Sequence, residues 1–199
     1  MIVHGDEPAG LLLAAGAGTR LGRPKALVEL DGERLVDRGV RVLRDGGCAP
    51  VIVVTGAVSV EVVGAVVVPN PEWRTGMGSS LRAGLAALPP DAPAVVVALV
   101  DQPRVGAEAV RRLVEAYRDG GARVAVATYG GAPRNPVLIA REHFADAADA
   151  AVGDVGARAF LRARPDLVTH VPCDDVAAPD DIDTPADLAA FTTPPGDAR

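Results

Sequence analysis

Gly10–Leu30 reads GLLLAAGAGTRLGRPKALVEL, and the parsing of this stretch decides the fold. Leu11 to Ala15 is an apolar run with the length of a buried strand. It breaks into Gly16-Ala17-Gly18 and then presents Arg20, Pro24 and Lys25, where a dinucleotide-binding chain would enter a helix. Glycine permits positive φ and lets backbone N–H groups approach a ligand, so Ala14 to Gly18 predicts a nest of donors suited to phosphate oxygens. A dinucleotide fingerprint needs G-x-G-x-x-G running into a helix, but here Gly22 falls one place late and Pro24 follows. A P-loop needs G-x-x-x-x-G-K followed by Ser or Thr, and neither Gly16 nor Gly18 starts such a string. What remains is a loop over which Arg20 and Lys25 reach back toward the phosphates that its backbone cradles. A glycine pair alone is equally well explained by a strand-to-loop turn with two solvated cations.

Working outward, apolar runs recur at Val51 to Thr55, Val66 to Val68, Ala94 to Val100, Val124 to Thr128 and Val168 to Val171. Between them, Leu35, Val36, Val40 and Leu43, and again Val110, Leu113, Val114 and Tyr117, follow helical three- and four-residue steps. This alternation predicts a single-domain α/β fold, Rossmann-like, with a mainly parallel sheet and helices on both faces. Gly and Pro punctuate the run ends without forming a domain linker, so one domain is expected over residues 1–192, with disorder from Thr193 to Arg199. In such sheets ligands sit beyond the carboxyl ends of strands, which singles out Ala15, Val68 and Val100.

Composition narrows the function classes. The 199 residues are 49% hydrophobic and 3% aromatic with a net charge of −6, so base-stacking platforms and a cationic field for nucleic acid or membrane are not expected. No apolar run approaches the length of a membrane span, and no basic segment leads a signal-like core, so a cytoplasmic location is expected. Two distant cysteines, Cys48 and Cys173, and three scattered histidines, His4, His143 and His170, support neither a disulfide framework nor a zinc site.

Beyond the glycine loop, Asp101 follows the run Ala94 to Val100 and is placed to project from a strand end. Asp183 lies in Asp180-Asp-Ile-Asp-Thr-Pro185, which also reads as a helix start with Thr184 as N-cap and Pro185 in the first turn. Asp180 and Asp181 read as solvated neighbours. Gly76-Met-Gly-Ser-Ser80 enters a helix through small residues whose amides and hydroxyls suit a base edge, ribose or phosphate, or simply cap the helix. Trp73 is either a lid or a core residue.

Residues Leu13 to Lys25 resemble the L-A-A-G-x-G-x-R-[ML]-G-x-P-K signature of nucleotidyltransferases with the glycosyltransferase-A-like, nucleotide-diphospho-sugar transferase fold. NPEWRTGMGSSLRAGL (Asn70 to Leu85), LVDQPRV (Leu99 to Val105), GDVGARAFLRARPD and DIDTPADL are similar, in order, to segments of the molybdenum cofactor cytidylyltransferase group, and the likeness spans Leu11 to Leu188. The resemblance implies transfer of CMP from CTP to a phosphorylated acceptor, molybdopterin loaded with molybdenum, with release of pyrophosphate. It implies Mg²⁺ on Asp101 and Asp183, and catalytic roles for Arg20, Lys25 and Asp101. It also implies a nucleotide pocket of Leu13, Ala14, Ala15, Gly16, Gly18, Thr19, Gly78, Ser79 and Ser80. Ala14-Ala15, where related guanylyltransferases tend to carry a second glycine, would narrow the base slot and favour CTP over GTP. Arg134-Asn135 stand where the group usually has Gly-His, and Val155 where a Lys is common, which opens the acceptor to other phosphates such as a sugar phosphate or methylerythritol phosphate. GTP as donor, and a nonenzymatic module that hands a cofactor to a molybdoenzyme or chaperone partner, are the competing readings.

Overall fold

The structure, a computed structural model, describes residues 7–192. His4 and the tail 193–199, for which disorder is expected, lie outside the described residues. In chain order the elements are β1 (Ala9–Leu13), β2 (Glu29–Leu30), β3 (Glu33–Arg34), α1 (Leu35–Asp45), β4 (Val51–Thr55), β5 (Val66–Pro69), α2 (Met77–Ala86) and β6 (Ala94–Leu99). There follow α3 (Ala107–Arg118), β7 (Val124–Tyr129), β8 (Ala132–Ala140), α4 (Phe144–Ala150), α5 (Arg158–Ala163), β9 (Val168–Pro172) and α6 (Pro185–Thr192).

Seven strands form one sheet in the order β5-β4-β1-β6-β8-β7-β9. β1 pairs in parallel with β4 and β6, β4 with β5, and β7 with β9, while β8 alone runs antiparallel to its neighbours. The mainly parallel α/β architecture is therefore the one the apolar runs predict. β8 is the addition. Its sequence, APRNPVLIA, carries two prolines, and proline removes a ladder donor, so periodicity alone demotes the segment. The chain accommodates Pro136 by a register shift: Val126 pairs with Val137 but Ala127 pairs with Arg134. That irregularity lifts Asn135 and Pro136 out of the ladder. Gly130 and Gly131, both at positive φ, make the tight turn from β7 into β8.

The inner strands β1, β4 and β6 are almost wholly buried, and their side chains alternate between two cores as a period of two requires. Leu12, Val53, Val96 and Ala98 face α1 and α3, whereas Leu11, Leu13, Ile52, Val54, Val95 and Val97 face α2, α4 and α5. Truncating any of the fully buried leucines to Ala costs about 2–5 kcal/mol. This rigid sheet brings the carboxyl ends of β1, β4, β5, β6, β7 and β9 and the start of β8 to one edge.

Candidate active site at the carboxyl edge

At that edge β1 is fixed before it becomes a loop. The Ala14 amide donates to the Val54 carbonyl at 2.9 Å, and the Leu13 and Ala15 carbonyls accept from Val100 (3.2 Å) and Ala57 (3.0 Å). Leu13, Ala14 and Ala15 are buried, and Ala14 packs into the α1-side core. Two expectations are corrected here. The Ala14 amide belongs to the sheet and not to the donor nest, and its methyl cannot narrow a base slot because it lies in the core. Ala15 is the alanine near the surface, beside Gly56 and Trp73.

From Gly16 to Thr19 the backbone amides donate to no protein group among the described residues, which is the state a phosphate nest requires. The loop turns on Gly18, at φ +60, whose carbonyl accepts from Leu21 (3.0 Å) and Gly22 (2.8 Å). A Cβ on Gly18 would lie 2.0 Å from the Arg23 carbonyl oxygen, so no other residue fits. Leu21, Ala26 and Val28 then re-enter the core and anchor the single turn Lys25–Leu27, which returns the Lys25 side chain to the strand ends.

Lys25 Nζ donates to Asp101 Oδ2 at 2.6 Å and to Asp183 Oδ1 at 2.5 Å, and Arg20 Nη2 lies 3.0 Å from Asp183 Oδ2. Four residues singled out by sequence, from three distant segments, thus form one cluster. Burial opposes the charge on Lys25, but the two carboxylates outweigh it and raise its pKa above the ordinary lysine value. The hydrogen bond from Lys25, helped by Arg20, holds the Asp183 carboxyl below the usual carboxylate range. Arg20 is 71% exposed, whereas the Lys25 side chain is 15% exposed.

Asp183 meets Asp101 because of a strap that sequence reading missed. The Ile182 amide donates to the Asp101 carbonyl at 2.8 Å, Ile182 itself is fully buried, and Gln102 Nε2 donates to Asp181 Oδ1 at 2.8 Å. An apolar residue between two acids was the available signal, since an extended strap alternates inward and outward. The helix-start reading holds for its neighbours: the Thr184 hydroxyl accepts from the Asp187 amide at 3.2 Å, and Asp187 Oδ2 accepts from the Asp183 and Thr184 amides at 3.0 and 2.7 Å. Asp183 is thereby spared from capping and its carboxylate faces the cations. Asp180 is exposed, as expected, but Asp181 is not merely a solvated neighbour: it is tied to Gln102, and partial burial raises its carboxyl above the ordinary value.

Gly78, Ser79 and Ser80 are placed elsewhere and touch none of this cluster. Both hydroxyls are buried: Asn70 Nδ2 donates to Ser79 Oγ (2.8 Å) and Ser80 Oγ (3.0 Å), and Ser79 donates to the Gly76 and Glu72 carbonyls (2.9 and 3.0 Å). Their hydroxyls, 3–4% exposed, hold the entry to α2. Trp73 belongs to neither core. Its Cβ crowds Gly56 beside Ala15, and Arg74 stacks on its ring at 4.5 Å.

Chemically, two carboxylates facing an open crevice give hard oxygen donors, and Mg²⁺ or Mn²⁺ takes one or two of these with phosphates and water completing its shell. The pair fits such an ion. Among the described residues no group of three or more His, Cys, Asp or Glu could hold a metal unaided, and no helix is long and apolar enough to cross a membrane.

Residues 10–170 match the family model described as MobA-like NTP transferase domain. The chain is 40% identical over 189 residues to the nicotine blue oxidoreductase of Paenarthrobacter nicotinovorans, covering 88% of this chain and 91% of that protein. It is 36% identical over 125 residues to a probable molybdenum cofactor guanylyltransferase of Opitutus terrae, covering 60% of each. The crystal structure of Rv0371C of Mycobacterium tuberculosis H37Rv in complex with manganese is 25% identical, with a TM-score of 0.73 over 94% of this chain and 98% of that one. With the glycine loop, the paired cations and the opposed aspartates all on the segment matched or strapped to it, the chain belongs to the MobA-like NTP transferase family.

Proposed function

We propose that the chain transfers CMP from CTP to the terminal phosphate of a small acceptor, molybdopterin loaded with molybdenum, and releases pyrophosphate. The observation that carries this reading is the cluster in which Lys25 joins Asp101 and Asp183 beside the glycine loop. The amides of Gly16 to Thr19 hold the phosphates, Lys25 stabilises charge at the α-phosphate, and Arg20, long and exposed, takes the β/γ end. An acceptor phosphate oxygen attacks the α-phosphorus in line, the bond from that phosphorus to the bridging oxygen breaks, and the electron pair leaves on pyrophosphate. A phosphate monoester is largely ionised at neutral pH, its second pKa being about 6, so no side chain has to act as base. Mg²⁺ held by Asp101 and Asp183 would neutralise phosphate charge; the manganese complex of the mycobacterial relative supports a divalent ion in this family. Leu13, Ala14 and Ala15 serve through the backbone that positions the nest, and Gly78, Ser79 and Ser80 through the packing of α2 at the crevice edge. Turnover takes place in the cytoplasm, with no nucleic acid or membrane as partner.

The test is pyrophosphate release with CTP and GTP across loaded molybdopterin, sugar phosphates and methylerythritol phosphate, the panel being broad because an exposed Arg134 and a half-buried Asn135 stand at the start of β8. Release with CTP and loaded molybdopterin is expected, falling about 10²–10³-fold in Lys25→Ala and Asp101→Ala. Tighter binding of GTP than CTP overturns the cytidylyl assignment, and tight binding without release favours the cofactor-handing module.

One observation favours a second reading, the 40% identity to a nicotine blue oxidoreductase. In it the same loop holds the phosphates of a redox cofactor. The cysteines would take no part, since both are buried and burial pushes the Cys48 thiol up to about 12. A change in acceptor absorbance with an added reductant, without pyrophosphate, selects this reading.

A further inference from the structure

Lys25 is the single lysine in the chain; the other members of its 20 Lys and Arg residues are all arginines. Arg38, Arg112 and Arg164 also meet two carboxylates each, with 23–41% of the side chain exposed, whereas the 15% exposed position between Asp101 and Asp183 carries an ammonium. A guanidinium is a planar fork, whereas an ammonium is a compact point charge on a flexible stem that fits between two closely placed oxygens. Nζ lies 2.6 Å from one carboxylate oxygen and 2.5 Å from the other. An ion ligated by those same oxygens at about 2.0–2.1 Å competes with the ammonium for the space and the negative charge between the two carboxylates.

From this we propose that Lys25 holds the metal position in the ligand-free protein and surrenders it when a divalent cation enters, so that cation and nucleotide bind as a coupled pair. The inference rests on the reading of Asp101 and Asp183 as the cation's ligands. In the ligand-free cluster the two carboxylates are matched by Lys25 and Arg20. A divalent cation arriving alone displaces an ammonium that is 15% exposed and leaves the cluster with excess positive charge. A triphosphate removes both obstacles, because the amides of Gly16 to Thr19 hold it within reach of Lys25 and its charge compensates the incoming ion. Free cation therefore binds weakly, and each ligand strengthens the other by the same factor.

The experiment titrates Mn²⁺ alone, with free ion counted by electron paramagnetic resonance, into the full chain, Lys25→Met, Asp101→Asn and the double variant. Lys25→Met keeps the length of the side chain and vacates the gap, and is expected to tighten Mn²⁺ binding by roughly 5–150-fold, the usual range of such coupling. Unchanged or weaker binding through Asp101 overturns the exchange and leaves the transferase reading standing. Mn²⁺ binding indifferent to Asp101→Asn in both backgrounds overturns the metal site and the exchange with it. A second measurement needs no variant: with ¹³C at lysine Cε, the protein gives one side-chain signal, from Lys25. That signal is expected to shift in step with Mg²⁺ occupancy, and a signal that stays in place while the site saturates overturns displacement.

Discussion

Two polar networks face each other across the carboxyl edge, and they differ in kind. On the α1 side, Arg20, Lys25, Asp101 and Asp183 are tied by ion pairs alone, keep part of their surface in water, and come from the glycine loop, the end of β6 and the strap before α6. On the α2 side, Asn70, Ser79 and Ser80 are 3–4% exposed and are tied to one another and to the backbone around them. A buried polar group held by partners inside the protein is costly to disturb, because losing a partner leaves a desolvated group unpaired. The first network, with Lys25, Asp101 and Asp183 15–29% exposed, keeps its charges within reach of a ligand. The first network is thus built to be exchanged and the second to stay.

Substitutions should separate the two networks. The largest effect is expected at Lys25→Ala and Asp101→Ala, which remove charge stabilisation and should lower pyrophosphate release about 10²–10³-fold, well beyond what any accompanying loss of stability accounts for. A loss of folding equal to the loss of turnover would erase the distinction between the networks.

The mirror experiment is Asn70→Ala. It removes the donor to the Ser79 and Ser80 hydroxyls and the acceptor of the Glu72 amide, while Ser79 keeps its carbonyl acceptors, and about 1–3 kcal/mol for each buried group left unpaired is the expected scale. At about 2–4 °C per kcal/mol for a chain of this size, thermal melting should fall by several degrees. Nucleotide affinity measured below the transition should change by less than the stability does. If instead Asn70→Ala leaves the melt untouched and abolishes nucleotide binding, the α2 network is part of the binding surface.

The sequence makes this contrast only half visible. Apolar runs disclose six strands because burial on both faces demands them, and Leu35–Asp45 and Ala107–Arg118 announce themselves by helical period. β8 stays hidden because Pro133 and Pro136 mimic a loop, and only tertiary pairing with β6 and β7 overrides that local signal. At the site, Lys25, Asp101 and Asp183 are legible as residue types beside strand ends and through family resemblance. Which way a hydroxyl points is not legible, so Ser79 and Ser80 read as ligand contacts until Asn70 is seen to claim them. The Ile182 and Gln102 strap escapes for a similar reason: its partners lie about 80 positions away, and no local pattern names them.

The smallest expected effect concerns how Asp183 is kept in the exchangeable network. The Thr184 hydroxyl, with the amides of Asp183 and Thr184, holds the Asp187 carboxyl below its ordinary value. A carboxyl whose pKa is lower folded than unfolded contributes stability above the unfolded value, about 3.9, and loses it as pH falls through the folded value. Amide exchange at residues 183–188 should therefore accelerate below about pH 4 beyond the trend of the core strands, because the cap at the start of α6 is released before the sheet yields. Asp187→Asn should flatten that dependence and show faster exchange already at neutral pH. Exchange at these amides that tracks the core at every pH would mean that the strap is held by Ile182 and Gln102 alone, and the geometry of Asp183 would then be as permanent as the α2 network opposite it.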